Sequence, residues 1–575
     1  MNGLMTPILC PILQPVLRSV FDPRPGGAGT PTFDFYVDSF AAPGGDGTIS
    51  SPFATLADVQ AAALTHGDGV RIGLQRGSEW RESLDLRGLN NVTVQGIGDM
   101  ALPLPKIDAA GVADNSDFTT TDDTDAVYQI VWTHDLTGSA PYTARWLRAW
   151  EDGKRLKWVA SVELCDAEPG TFHCQAQGAV SNPTTFYVHP SNSSDPMTDG
   201  KLYEFSARDS SIYVDTGYDV RDLHTTRNSH KDGSFLSFGP GYAYSVLSTD
   251  GLIHNQWAAA GSTHEKCVVY DCEPSTWRSG TSATLFITHR DVGSPLTTRY
   301  KACAAYSHQV VSGHEALYAH TSGGANRLHR VEVDGMISYG SGSVSTGDTD
   351  ALYVTNTFIE HPFARPPESQ AAAANGGATF IDNITILNAA RAFSGASSPT
   401  INDARLFTSA DNSAGPFWSV GTAITNSTFA FLPELSDGQS MMFIYWSGGA
   451  ASVFAGCAVE DAGLGALAAI SNTSIESDGN VWWRSNAGIN HFVVSPDEYN
   501  FAGWQAETGQ DGNSAYLVNQ PTRLFPNAHL GDFTAADGVV DADGRQSGSR
   551  KHIERPDWTA LVARWQAGFI GLGEV

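Results

Sequence analysis

The sequence predicts an all-β chain whose short strands recur along a solenoid, and three observations carry that prediction. Charged residues make up only 17% of the 575, and glycines number 58, a composition suited to many short strands broken by turns. Short apolar strands recur through the chain: CVVYDC at 267, ACAAYS at 302, RVEVDG at 330, TFIEHP at 357, ITILNA at 384, STFAFL at 427, CAVEDA at 457 and TSIESD at 473. Asparagine precedes several of them, at Asn356, Asn383, Asn426 and Asn472, where stacked corner amides bond the coils above and below. Steps of 35, 28 and 26 residues separate Val268, Cys303, Val331 and Thr357, and such uneven steps follow when loops of any length enter at coil corners.

The elements follow in order. Residues 1–29 join an apolar peptide, punctuated by Pro7, Pro11 and Pro15, to a Pro/Gly-rich linker. Those prolines and the lack of a basic start fit neither a signal peptide nor membrane insertion. Leu4, Ile8, Leu9, Ile12, Leu13, Val16 and Leu17 make the segment a hydrophobic docking peptide instead. Residues 30–125 begin the solenoid with a strand over 33–37, a Gly-rich loop, a short amphipathic helix over 54–64, and strands over 70–74 and 92–94. A helix placed there lids the open core of the first coil. Between 126 and 205 aromatic residues cluster and Glu151-Asp152-Gly153-Lys154 reads as a hairpin turn, marking a small inserted β module, sandwich-like in kind. Residues 206–530 form the main solenoid. In the tail, 531–575, apolar positions 558, 561, 562, 565 and 569 line one face of a short helix, suited to capping the stack or meeting a partner chain.

The segments YVDS, SPFATL, GDGVRIGLQRGSEWRE and NVTVQGIG, all within residues 33–97, resemble the opening of the pectate lyase-like right-handed parallel β-helix family. The pattern W-x-x-x-T-G-x-D-x-x-S from Trp504 to Ser514 is similar to the closing coils of the same family. The resemblance implies a right-handed parallel β-helix with an N-terminal capping helix. This fold hosts lyases, hydrolases, adhesins and bacteriophage tailspikes, and does not choose among them. With the docking peptide, the resemblance implies a tailspike or tail fibre-like virion protein, made in the host cytoplasm and homotrimeric. Residues 1–29 would join it to other tail proteins, and the solenoid would bind host cell-surface polysaccharide. Cleavage of that glycan, by hydrolase or lyase chemistry, is a further activity of the family. A free polysaccharide lyase or glycoside hydrolase, and a non-catalytic adhesin or structural component of a particle, are the alternatives.

The net charge of −28, without any run of Lys and Arg, argues against nucleic acid as a partner. Seven scattered cysteines without a CxxC pair argue against structural zinc. Cys165 and Cys174 could pair, but the set reads as buried free thiols of a reducing compartment. Asp541-Ala542-Asp543-Gly544 lacks the remaining ligands of a calcium loop, so neither metal nor cofactor is expected. For catalysis, His264-Glu265, His289-Arg290-Asp291 and His314-Glu315 recur at steps of 25 residues, close to one coil. Aligned, they stack imidazoles and carboxylates into one column with acid, base and substrate clamp. Asp215, Asp219, Asp222 and His224 form a second group, read as a binding surface on the resumed coil.

Overall fold

The computed structural model describes residues 32–570 except for connecting stretches, the longest of them 135–146, 272–283, 432–443 and 534–552. The described part is mostly β, with one sheet of 23 strands, one of 14, two small sheets and few helices. In the two large sheets the strands pair in parallel with those a turn of chain later, apart from the antiparallel pair of Phe492–Val494 with Asp497–Tyr499. Val220, Ala243, His264, Tyr300, Val333, Val354 and Ile381 are successive partners of this kind. No helix among the described residues is long and apolar enough to cross a membrane.

A one-residue corner divides the larger sheet into a first and a second face. At Asp222, Ser245, Lys266, Ala302, Gly335, Asn356, Asn383, Asp403, Asn426, Gly456 and Gly479, φ lies between 50° and 74°. Glycine and asparagine enter this left-handed region most readily, which explains the recurring corner asparagines. Asn383 donates to Asn356 at 2.7 Å, and Asn356 to Asp334 at 2.7 Å. The amide column is interrupted at Asp403, where Asn426 bonds Asn402 instead, at 2.9 Å. Asn472 lies outside the described residues. The 14-stranded sheet forms the third face.

Alternate residues of the three faces point inward to a continuous core running from Val37 to Trp504. The first helix, Leu56–His66, buries Leu56, Val59 and Ala63 in that core. It starts two residues later than the sequence predicts because Thr55 caps it, its hydroxyl accepting from the Asp58 amide at 3.1 Å. At the other end the motif of Trp504 to Ser514 has a structural task. The buried Asp511 carboxylate accepts from Ser514 Oγ at 2.6 Å, Ser477 Oγ at 2.8 Å, and Trp504 Nε1 and Asn480 Nδ2 at 3.0 Å.

Two small sheets, drawn from Ala110 to Ser206, share a core of their own that includes Phe118, Phe172, Phe186, Tyr203 and Phe205. Glu151 pairs with Lys154 across Asp152 and Gly153, at φ 48° and 72°, as a two-residue hairpin turn requires. Ionic contacts fasten these sheets to the large one. Asp250 accepts from Trp150 Nε1 at 2.5 Å and from Arg155 at 3.0 Å. Arg227 bridges the buried carboxylates of Asp108 and Glu204; Arg81 reaches Glu204 at 2.5 Å and Lys106 reaches Asp108 at 3.4 Å.

The tail departs from expectation. Its helix, Trp558–Gln566, lies along the second face of its own chain rather than over the end of the stack. That face carries a ladder of Tyr270, Tyr306 and Tyr339, with centroids 5.5 and 4.9 Å apart, and its outward residues are too apolar to be left in water. Trp558 and Trp565 cover the ladder. Glu360 accepts from Arg555 Nε and from Trp558 Nε1, each at 2.8 Å. Glu460 accepts from the Leu524 and Phe525 amides at 3.0 and 3.1 Å, and the Leu104 amide donates to Gly568.

On the third face one register position runs Tyr213, Leu236, Trp257, Ile287, Tyr318, Ser345, Ala373, Ser394, Trp418, Tyr445, Ala469 and Val493. It alternates with the core column of Phe235, Phe286, Leu317 and Val344. None of these twelve is charged, but Asp85 occupies the same position before Tyr213 and Glu498 faces Val493 at the other end. Among the described residues Cys165, Cys174, Cys267, Cys303 and Cys457 are free and buried, so Cys165 and Cys174 do not bridge.

Candidate functional site

The outer surface of the first face gathers aromatic rings and ionic groups in two adjoining columns. Strand alternation sends Val220, Ala243, His264, Tyr300 and Val333 inward and their neighbours outward. One outward column reads Asp219, Tyr242, Thr263, Arg299, Glu332, Tyr353, Phe380. The next reads Arg221, Tyr244, Glu265, Lys301, Asp334, Thr355, Asp382. Six steps of about 4.8 Å give a strip roughly 29 Å long.

Aromatic rings and ions alternate along it. Arg221 forks onto Asp219 at 2.7 and 2.8 Å and lies over the Tyr242 ring at 5.3 Å. Tyr242 and Tyr244 stand 6.3 Å apart at 23°, and the Tyr242 hydroxyl donates to Glu265 at 2.8 Å. Lys266 donates to the Tyr244 hydroxyl at 3.1 Å. Farther along, Glu332 accepts from Arg299 and Arg330, each at 2.8 Å. Arg330 sits 3.7 Å above Tyr353, which stacks on Phe380 at 4.8 Å and 15°. Phe380 is 40% exposed in mid-strand. Ring faces take the C–H faces of sugars, while carboxylates and guanidinium groups take hydroxyls and anionic substituents.

The residues chosen from sequence scatter. His264 is fully buried; it stacks on Tyr300 at 5.3 Å, and its Nδ1 lies 3.0 Å from Gln256 Oε1. Its neighbour Glu265 faces outward on the strip. His289 and Glu315 belong to the third face, where His289 pairs with His320 and Glu315 with Thr284. Asp291 and His314 lie outside the described residues. The expected column of His264, His289 and Glu315 therefore does not form. Thr284 to Glu315 is one coil and takes 31 residues, not 25, and His264 sits in a different sheet.

The second group divides as well. Asp219 joins the strip, whereas Asp215 accepts from the Gly88 amide at 3.1 Å and Asp222 occupies a corner 3.5 Å from Arg76. His224 is buried on the second face, its Nε2 2.8 Å from Thr249 Oγ1. Burial, and then Lys106, drives its imidazole down to about 3, so it is neutral. An unfolded histidine titrates near 6.5, so acid favours the unfolded chain. The penalty is absent above about pH 6.5 and grows as pH falls toward 3, reaching roughly 3 kcal/mol at pH 4. His224→Gln is expected to remove that dependence, read from urea midpoints between pH 7 and 4. An unchanged acid slope would refute the assignment. The docking residues Leu4, Ile8, Leu9, Ile12, Leu13, Val16 and Leu17 lie outside the described residues.

No family model matches the chain, and no curated protein matches it. Among solved structures it is similar to one described as the complex structure of XylC with xylose, at 11% identity and a TM-score of 0.45, covering 80% of this chain and 86% of that one. A GH136 lacto-N-biosidase from Eubacterium ramulus aligns at 9% identity and a TM-score of 0.33, over 84% and 67% of the two chains. A structure described as a glycoside hydrolase aligns at 10% identity and a TM-score of 0.30, over 84% and 96%. Likeness this distant leaves the chemistry to be argued from the side chains.

Proposed function

We propose that the chain is a right-handed parallel β-helix acting as a bacteriophage tailspike or tail fibre-like virion protein that binds host surface polysaccharide. In this reading it is a homotrimer joined to other tail proteins by residues 1–29. The observation that carries glycan binding is the strip on the first face, where Tyr242, Tyr244, Tyr353 and Phe380 alternate with ionic pairs. A long glycan meets repeated stacking platforms there, and the hydrogen-bonding groups between them fix its register. Replacing Tyr353 and Phe380 together with alanine removes two stacking faces worth about 1 kcal/mol each, which corresponds to roughly 30-fold weaker binding. The measurement is titration against purified bacterial capsule and lipopolysaccharide glycans; full-strength binding by the double variant would reject the strip as the site.

Cleavage is the second reading, favoured by Glu265 and Asp334. They occupy one outward column two coils apart, about 10 Å at the backbone, near the spacing of inverting glycosidase carboxylates. Release of reducing ends from the same glycans separates a depolymerase from a binding-only spike.

A further inference from the structure

A cavity of about 480 Å³ opens where the inserted sheets meet the first coils of the solenoid, within the size range of small-ligand sites. Its lining includes Arg81, Arg208, Trp132, Thr133, His134 and Gly111. Among the described residues no Asp or Glu lines it, in a chain whose net charge is −28. The side chains are held in place. The Trp132 indole donates to the Ser206 carbonyl at 2.9 Å, and its ring rests against Gly111, where an added Cβ would stand 2.7 Å from Cζ2. Asn182 clasps the His134 backbone, accepting from its amide at 3.2 Å and donating to its carbonyl at 2.6 Å. His134 Nε2 lies 3.3 Å from Thr184 Oγ1, and Arg208 donates to the Ala110 carbonyl at 3.4 Å. Arg81 has Glu204 at 2.5 Å, Glu79 at 3.4 Å and Asp108 at 3.6 Å. Those carboxylates also serve Arg227 and Lys106. Arg81, Arg227 and Lys106 thus balance Asp108, Glu204 and Glu79, and Arg208 is a further cation on the cavity wall. A guanidinium carries five N–H donors, so both arginines keep donors for a ligand.

We infer that this cavity is a second carbohydrate site, one that takes a carboxylate-bearing sugar residue, a uronic or sialic acid, of the host glycan. The guanidinium forks of Arg81 and Arg208 match a planar carboxylate. His134 and Thr133 supply hydrogen-bonding groups for ring hydroxyls, and the Trp132 ring supplies an apolar face for the C–H side of a pyranose. An enclosed volume of this size receives a side branch or a chain end, whereas the first-face strip follows a length of polymer. The inference rests on the glycan-binding reading for its ligand but not on the strip, which lies on another part of the solenoid surface. A free inorganic anion would satisfy the arginines but would leave the tryptophan face unused.

The test uses the full chain with the methyl glycosides of glucuronic acid, N-acetylneuraminic acid and glucose, and with inorganic phosphate, each followed by calorimetric titration and saturation-transfer NMR. One of the acidic glycosides is expected to bind about 10-fold or more tighter than the neutral one, as loss of a charge-assisted hydrogen bond implies. Arg208→Gln is expected to weaken that binding about 10-fold. Thr133→Glu sets a carboxylate at an exposed position of the lining and is expected to weaken it at least as much; if Arg208→Gln fails to fold, this variant decides. Tyr353→Ala with Phe380→Ala, on the strip, is expected to leave it unchanged. Equal binding of acidic and neutral glycosides overturns the inference, as does binding of phosphate without either acidic glycoside. Binding that survives both cavity variants but falls with the strip variant places the sugar on the strip and overturns the cavity alone. Failure of both acidic glycosides while the long glycans still bind overturns the cavity and leaves the proposed function standing; failure of the long glycans as well overturns both.

Discussion

Asp511→Ala is expected to destabilise the protein by about 3–5 kcal/mol and to open its last coil. The carboxylate is buried and gathers donors from two stretches of chain, Ser477 and Asn480 in one and Trp504 and Ser514 in the other. Each buried donor left without an acceptor costs about 1–3 kcal/mol, and local rearrangement recovers part of the sum. Trp504 loses its indole partner in the same step, so the closing helix Phe501–Thr508 loses its anchor on the stack. Urea unfolding followed by tryptophan fluorescence reads both effects. A loss below 1 kcal/mol would show that the hub is dispensable.

Arg227→Met is expected to cost a similar amount, about 3–5 kcal/mol at pH 7, because it strands two buried carboxylates. Burial alone would raise the Asp108 carboxyl, but Arg227 and Lys106 together hold it below its usual value. Without Arg227 that balance reverses, and Asp108 then takes up a proton more readily folded than unfolded. The deficit should therefore narrow as pH falls toward 4. Adding Asp108→Asn and Glu204→Gln to Arg227→Met should recover much of the stability at pH 7. Thermal melts across that range check both expectations, and a deficit independent of pH would sink the account.

The strands were the most legible part of the sequence. RVEVDG and ITILNA alternate every second residue, and the corner asparagines mark where a strand must turn through a left-handed residue. The site was less legible, for a physical reason. A coil takes 36 residues from His264 to Tyr300 but 21 from Val333 to Val354, so equal spacing along the chain does not mean stacking in space. Phase within a strand was the better signal. In YAYSV, RVEVD and ALYVT the residues between the apolar ones are Tyr, Arg, Glu and Tyr, and these build the strip. The same rule turns His264 inward and Glu265 outward. The tail was half legible: its apolar stripe was plain, but the surface that receives it comes from residues separated by hundreds of positions.

That tail changes how the molecule comes apart. In a stack of repeats each turn touches only its neighbours, so unwinding starts at a loose end and travels inward. Here the thread is carried back along the spool, from Glu460 past Phe407, Glu360 and Tyr306 to Leu104. Peeling one end turn must also strip this binding from turns far from the break. Nearest-neighbour contacts thereby become a single cooperative unit, and the chain's last helix ends beside its opening turns.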